Sequence, residues 1–301
     1  MNLSTSLGPL TPPAFGHPPT VVGRKFLIAL LASVVALASQ ASAQSAREET
    51  VRIPSSGATM IATVMRPSAE GKHPLVVINH GSPASSAQRP AMARPRYASL
   101  SSWFVSRGYV VVLPLRRGYG ETGGTWAEAY GSCQTPDYFN AGLQGAADIR
   151  ATVEFMRGQP YVASDRTIVV GQSAGGWATM ALSSLNPPGV PGMVNFAGGR
   201  GGHQNLPGGG FGNCTPDALV KAAGRYGLTA RVPMLWLYAA NDSFFEPALA
   251  RRMVEAYDGA GGKATLRALG AFGQDGHMLA GSDSGVAIWS GPVGEFLASV
   301  R

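Results

Sequence analysis

The sequence predicts an α/β fold: a mainly parallel sheet of eight strands with helices on both faces. Three observations carry this reading. Short runs of β-branched residues alternate with longer helical stretches through the whole central region, the pattern of βαβ units. Two of those runs, Leu75-Val76-Val77-Ile78 and Val110-Val111-Val112-Leu113, are continuously apolar, as strands covered on both faces must be. Gly108, Gly158 and Gly259 stand where three of the helical stretches should stop.

In chain order the expected strands are Val51 to Pro54, Met60 to Met65, Leu75 to Asn79, Tyr109 to Leu115, Thr167 to Val170, Met193 to Phe196, Met234 to Tyr238 and Thr265 to Leu269. The first two should form an antiparallel hairpin around Ser55-Ser56-Gly57, because Ser and Gly supply the conformations a tight turn needs. The expected helices are Tyr97 to Arg107, Asp137 to Arg157, Trp177 to Leu185, Pro216 to Tyr226, Glu246 to Asp258 and Val286 to Val300.

Ahead of this region, Arg24-Lys25 precedes the apolar run Phe26 to Leu37, and Ala41-Ser42-Ala43 supplies the small residues a signal peptidase requires. Residues 1–43 therefore read as an N-terminal extension plus a cleavable signal peptide, and residues 44–301 as one catalytic domain exported after cleavage near Ala43. About a dozen apolar residues fall short of the roughly 20 that span a bilayer, so no stable membrane span is expected. Residues 1–23 stand where a signal peptide would normally begin, which suggests an over-extended start.

The formal charge is +7, with two of the positive charges in the leader and the rest dispersed. No basic cluster resembles a nucleic-acid footprint. Cys133 and Cys214 are the only cysteines, and an even pair in an exported chain invites a disulfide. Both precede Thr-Pro-Asp, which reads as an N-cap, a first-turn Pro and a first-turn acid. Two glycine-rich stretches, Gly118 to Gly131 and Gly198 to Gly212, would both follow strands and are candidate pocket walls.

The chemistry centres on Gly171-Gln172-Ser173-Ala174-Gly175, where a β-branched run breaks into glycines before a helix. That context would place Ser173 on a sharp strand-to-helix turn with its hydroxyl exposed. A chain with 40 glycines in 301 residues produces Gly-x-Ser-x-Gly by accident, so the pattern alone is weak. A serine nucleophile also needs a base and an orienting acid. Asp242 lies just past the strand Met234 to Tyr238, and His277 lies in the loop Asp275-Gly276-His277 before the last helix. Glu246 is the competing acid, but it sits where a helix starts, and His203 is the fallback base. The oxyanion should meet the backbone N–H of Ala174 and one from Ser82 or Gly81 in the loop His80-Gly81-Ser82-Pro83, with His80 itself structural.

Gly118-Tyr119-Gly120-Glu121-Thr122-Gly123 matches a dinucleotide fingerprint by spacing alone. More glycine and Trp126 follow where a helix must open, and no acid ends a second strand about 20 residues on. No Walker loop and no zinc-site spacing are present, so no cofactor and no metal are implied.

Together, His80-Gly81, Arg117-Gly118-Tyr119-Gly120, Gly171-Gln172-Ser173-Ala174-Gly175, Asp242 and Asp275-Gly276-His277 resemble the α/β-hydrolase superfamily, specifically its dienelactone hydrolase-like and prolyl oligopeptidase-like branch. The resemblance spans about residue 48 to 301 and implies Ser173 as nucleophile, Asp242 as acid and His277 as base. Dienelactone hydrolases proper use cysteine where this chain has Ser173. The implied activity is hydrolysis of small-molecule carboxylic esters, including lactones, through an acyl-enzyme. The alternatives are an amino- or dipeptidyl peptidase with the same three residues, or an inactive relative that acts as a binding protein.

Overall fold

The computed structural model describes residues 47–83, 85–205 and 211–300. The expected leader and cleavage site, and part of the second glycine-rich stretch, lie outside these residues. The strands are β1 (Arg47–Ser55), β2 (Ala58–Arg66), β3 (His73–Asn79), β4 (Val110–Leu115), β5 (Val162–Gln172), β6 (Gly192–Phe196), β7 (Gln204–Asn205), β8 (Phe211–Gly212), β9 (Met234–Ala239) and β10 (Ala264–Leu269). The helices are α1 (Ala98–Val105), α2 (Tyr138–Arg157), α3 (Ala174–Ser183), α4 (Pro216–Gly227), α5 (Pro247–Gly259) and α6 (Val286–Ser299).

Eight strands form one sheet in the order β1-β2-β4-β3-β5-β6-β9-β10, and β7 and β8 form a separate antiparallel pair. Within the main sheet only β2 runs against its neighbours. The β1–β2 hairpin closes through Ser56 (φ 44°) and Gly57 (φ 79°), both left-handed, as a two-residue turn between twisted strands requires.

Each face of the sheet has its own core. Ile149, Trp177, Leu219 and Leu249 bring α2, α3, α4 and α5 onto one face, with Val77, Val112 and Trp236 beneath them. Leu100 and Phe104 of α1 and Trp289 and Val293 of α6 cover the other face, over Val76, Val111 and Leu235. Every residue of β4, β6 and β9 is buried, which is why those strands, Asn195 of β6 apart, read as apolar runs.

Among the places where the elements differ from expectation, three have a clear physical reason. β5 begins at Val162, five residues early, because the polar Ser164-Asp165-Arg166 segment is extended but exposed and carries no apolar signal. α3 begins at Ala174, so Gly175 and Gly176 are its first turn and not part of a loop. The two Thr-Pro-Asp segments also diverge. Thr215-Pro216-Asp217 opens α4 as read, but α2 is capped by Asp137, whose carboxylate accepts the Asn140 N–H at 3.0 Å. The Thr215 hydroxyl is diverted to the carbonyl of Cys133.

Cys133 and Cys214 are bonded, with their Cα atoms 5.6 Å apart and a separation of 81 in sequence. The bond ties the approach to α2 to the approach to α4. Replacing both cysteines with serine should lower the unfolding free energy by about 4 kcal/mol, the loop-closure entropy of a link this long. Urea unfolding of the oxidised protein and the double variant measures the difference, and equal midpoints and slopes would refute it.

Candidate active site

Parallel strands end at one rim of the sheet, and the loops leaving β3, β4, β5, β6, β9 and β10 all emerge there. Ser173 follows β5 directly at φ 55° and ψ −121°, a conformation L-residues adopt at a cost of order 1–3 kcal/mol. Of the six non-glycine residues with positive φ among those described, Ser173, Tyr97, Ala197 and His203 all lie in loops or caps at this rim. Backbone strain is therefore concentrated at one place.

The glycines around Ser173 are there for close approach. A Cβ at Gly171 would lie 2.2 Å from the Gly175 carbonyl oxygen, and one at Gly175 would lie 2.2 Å from the carbonyl oxygen of Asn79. The start of α3 is thus pressed against the end of β3. This answers the objection that a glycine-rich chain makes the pattern by accident: no other residue fits at either position.

Asp242 follows β9. Its Oδ1 accepts the N–H groups of Phe244 (2.9 Å) and Phe245 (3.0 Å), and the carboxylate is fully buried. His277 Nδ1 lies 3.1 Å and 3.2 Å from the two oxygens of that carboxylate. With its proton on Nδ1 for the carboxylate, the imidazole keeps its Nε2 lone pair as an acceptor.

Asp275 joins the acid loop to the base loop. Its carboxylate accepts the His277 N–H (3.0 Å), the Ser243 N–H (3.1 Å) and the Ser243 hydroxyl (2.7 Å). Burial pushes the Asp275 pKa up, but these hydrogen bonds outweigh it and hold the carboxyl below its usual range.

The sequence also offers His203 and Glu246. Among the described residues no carboxylate pairs with His203; its Nδ1 lies 3.4 Å from the Ser243 hydroxyl, and its ring stacks between Phe211 (4.3 Å) and Phe244 (4.7 Å), with Phe244 in turn stacked on the His277 ring at 4.0 Å. This row of four rings packs the second glycine-rich wall against His277. Glu246 sits at the N-cap of α5, as its position in the sequence implied.

His80 is fully buried, donates from Nδ1 to the Gly81 carbonyl (2.7 Å) and accepts the Arg116 N–H at Nε2 (3.2 Å). Burial and the Arg116 charge push its pKa well down, so it is a neutral structural residue.

The loop after β3 is placed by a relay. The Gly81 N–H donates to the Tyr97 hydroxyl (3.2 Å), that hydroxyl donates to Gln172 Oε1 (3.0 Å), and Gln172 Nε2 donates to the His277 carbonyl (3.2 Å). Gly81 has therefore committed its N–H to Tyr97. Ser82 and Ala174 remain as the candidate pair of oxyanion donors, and both line a cavity with Ser173.

Two cavities meet at Ser173. One, about 400 Å³, includes His277, Met278, Met92, Pro95 and Tyr97. The other, about 70 Å³, is walled by Trp126 and Tyr130 from the first glycine-rich stretch and by Gly199 to Gly202 from the second. Both stretches therefore wall the site. The segment with dinucleotide-like spacing forms a short 3-10 turn at Gly120–Thr122, and the next α-helix begins only at Tyr138.

Beneath the smaller cavity lies an ionic cluster that the sequence did not reveal. Glu128, fully buried, pairs with both Arg116 and Arg200, which are also buried. Arg116 Nη1 also donates to the His80 carbonyl at 2.8 Å. Tyr119 donates to Glu128 at 3.2 Å and accepts the Trp126 indole N–H at 3.0 Å. Burial pushes the Tyr119 hydroxyl up, and the charges of Arg200 and Arg116 outweigh it and bring it below its ordinary value. The partners lie 12 and 72 residues apart, so no local spacing could have found them.

Residues 95–188 match the prolyl oligopeptidase family, a segment that contains Ser173 but neither Asp242 nor His277. No curated protein sequence matches the chain. Among solved structures, an esterase of Pyrococcus furiosus is similar at a TM-score of 0.60 and 14% identity, covering 85% of this chain and 93% of that one. A protein assigned as a dienelactone hydrolase from Klebsiella pneumoniae subsp. pneumoniae matches at a TM-score of 0.58 and 16% identity, covering 84% and 99%. The acylaminoacyl peptidase of Pyrococcus horikoshii matches at a TM-score of 0.60 and 16% identity over 85% of this chain, which spans only 42% of the peptidase. The strand order, the single antiparallel turn into the sheet and these likenesses agree: the chain has the α/β-hydrolase fold.

Proposed function

We propose that the chain is an exported serine hydrolase that cleaves small carboxylic esters through Ser173, His277 and Asp242. The observation that carries the reading is the buried bond between His277 Nδ1 and the Asp242 carboxylate, on an imidazole that shares a cavity with the strained Ser173. Export rests on the leader-like segment ahead of Gln44 and on the Cys133–Cys214 bond, which an oxidising compartment favours.

His277 Nε2 takes the Ser173 proton as Oγ attacks the ester carbonyl, and the carbonyl π pair moves onto oxygen. Ala174 and Ser82 donate to that oxyanion, and Asp242 stabilises the imidazolium. Collapse breaks the bond to the alkoxide, which takes the proton from His277. Water then attacks the acyl-enzyme by the same steps and releases the acid.

Esters are favoured over amino-terminal peptides because no carboxylate among the described residues lines either cavity to hold a substrate amine. Assays with p-nitrophenyl esters and peptide p-nitroanilides separate the two readings, and turnover of anilides alone would overturn this one. Ser173→Ala should abolish fluorophosphonate labelling and reduce kcat on the order of 10⁶-fold. Near-normal ester turnover in that variant would rule out the assignment.

The Tyr97 relay acts on the transition state by fixing the oxyanion loop. Tyr97→Phe should lower kcat by about 10- to 100-fold while KM stays within about twofold, because a donor displaced by a fraction of an ångström is missed only by the oxyanion. An unchanged kcat, or a loss confined to KM, would show that the relay does not serve catalysis.

A further inference from the structure

The two cysteines are bonded to each other, so the chain offers no thiol to an oxidant. The sulfur that remains is methionine. Of the ten methionines, Met1 lies outside the described residues, Met92 is half-buried and Met278 is 59% exposed, while the rest are buried in the two cores. Oxidation of a thioether follows its exposure, so these two sulfurs are the ones a peroxide meets in the folded domain. Both residues line the larger cavity at Ser173.

The exposure of Met278 comes from the turn that carries it. In the 3-10 turn Gly276–Gly281, His277, Leu279 and Ala280 are buried and Met278 is not. Its N–H donates to the Asp275 carbonyl at 3.2 Å, and Leu279 and Ala280 anchor the turn from inside. The Met278 side chain can therefore change chemically while the turn and His277 stay in place.

The alcohol of an ester must sit beside His277 to take its proton, and His277 lines the larger cavity and not the smaller. The wall that meets the alcohol is thus made partly of thioether. A thioether is apolar and pliable, whereas a sulfoxide carries an oxygen that demands hydrogen-bond donors. Water held by that oxygen competes for the space an apolar alcohol fills. An ester of methanol has little apolar contact to lose there.

We propose that Met278 is a site of modification by peroxides, with Met92 as a slower second one, and that its sulfoxide closes the larger cavity to esters of long apolar alcohols. The proposal rests on the ester-hydrolase reading above. The sulfur lone pair attacks one oxygen of hydrogen peroxide and the O–O bond breaks. The departing hydroxide takes the proton of the new S–OH group and leaves as water. Sulfur is oxidised by two electrons and the peroxide is reduced by two, and methionine sulfoxide reductases reverse the change.

The protein is treated with graded hydrogen peroxide, and sulfoxide is located by peptide mass spectrometry. Met278 should convert first and Met92 second, with the core methionines roughly tenfold slower. Hydrolysis of methyl and hexyl butanoate is followed by proton release at constant pH. As Met278 converts, kcat/KM for the hexyl ester should fall about tenfold and that for the methyl ester less than about twofold. Sulfoxide reductases should restore the hexyl rate. Met278→Leu, compared with its own untreated rate, should lose most of the peroxide sensitivity, and adding Met92→Leu should remove the remainder. Conversion of core methionines ahead of Met278 overturns the proposal, as does full conversion of Met278 with the hexyl rate unchanged. An equal loss for both esters, or undiminished sensitivity in Met278→Leu, also overturns it, since the damage would then lie elsewhere. If the untreated protein hydrolyses neither ester, the ester-hydrolase reading falls, and this proposal falls with it.

Discussion

The contact on which the rim depends is the one between two stretches of backbone: the first turn of α3 and the end of β3. Gly175 lies so close to the Asn79 carbonyl that a single added carbon would overlap it. That approach holds Ser173 at a positive φ and sets Ala174 at the start of a helix, with its N–H directed out of the turn. It also puts the loop from His80 to Pro83 beside the serine. Ser173 and both candidate oxyanion donors are thereby fixed by backbone geometry, which side-chain substitutions elsewhere disturb little. The strain at Ser173 is offset by the packing of α3, every residue of which is buried.

A second layer holds Asp242 and His277. Their loops leave adjacent parallel strands, β9 and β10, so Asp242 and His277 are brought near one another by the sheet itself. Asp275 then fastens one loop to the other through three hydrogen bonds, and the stacked rings from Phe211 to His277 press the far wall against them. His277 is therefore restrained from three sides: the carboxylate at Nδ1, the backbone at its own N–H, and the ring of Phe244 on its face. Gln172, next to Ser173, reaches the His277 carbonyl and connects this layer to the elbow.

What the sequence made legible was what chain order and strand ends decide. Ser173, Asp242 and His277 could each be placed because each follows a strand, and parallel strands share a rim. The pairing of Cys133 with Cys214 followed from counting. The start of α3 was misplaced because Gly175 and Gly176 look like turn residues, although they are there for a close approach that only the tertiary structure explains. The use of the Gly81 N–H was hidden for a similar reason: its acceptor, Tyr97, is 16 residues away on the other side of a loop. The cluster of Arg116, Glu128 and Arg200 is the clearest case. Each residue alone reads as an ordinary surface charge, and only the folded chain shows that all three are buried together.

The two cavities differ in how sharply they can select. The larger is open and lined by Met278, Met92 and Pro95, surfaces that accept many leaving groups, since adding or removing a methylene against an apolar wall changes binding by only about 1–3 kcal/mol. The smaller is narrow, and its described lining carries Arg89 and Arg200 and no carboxylate, so it selects by size and polarity more sharply than the open one. Its walls come from the two glycine-rich stretches, and the pair of Glu128 with Arg200 ties one stretch to the other, so the width of the narrow cavity is set by a buried contact.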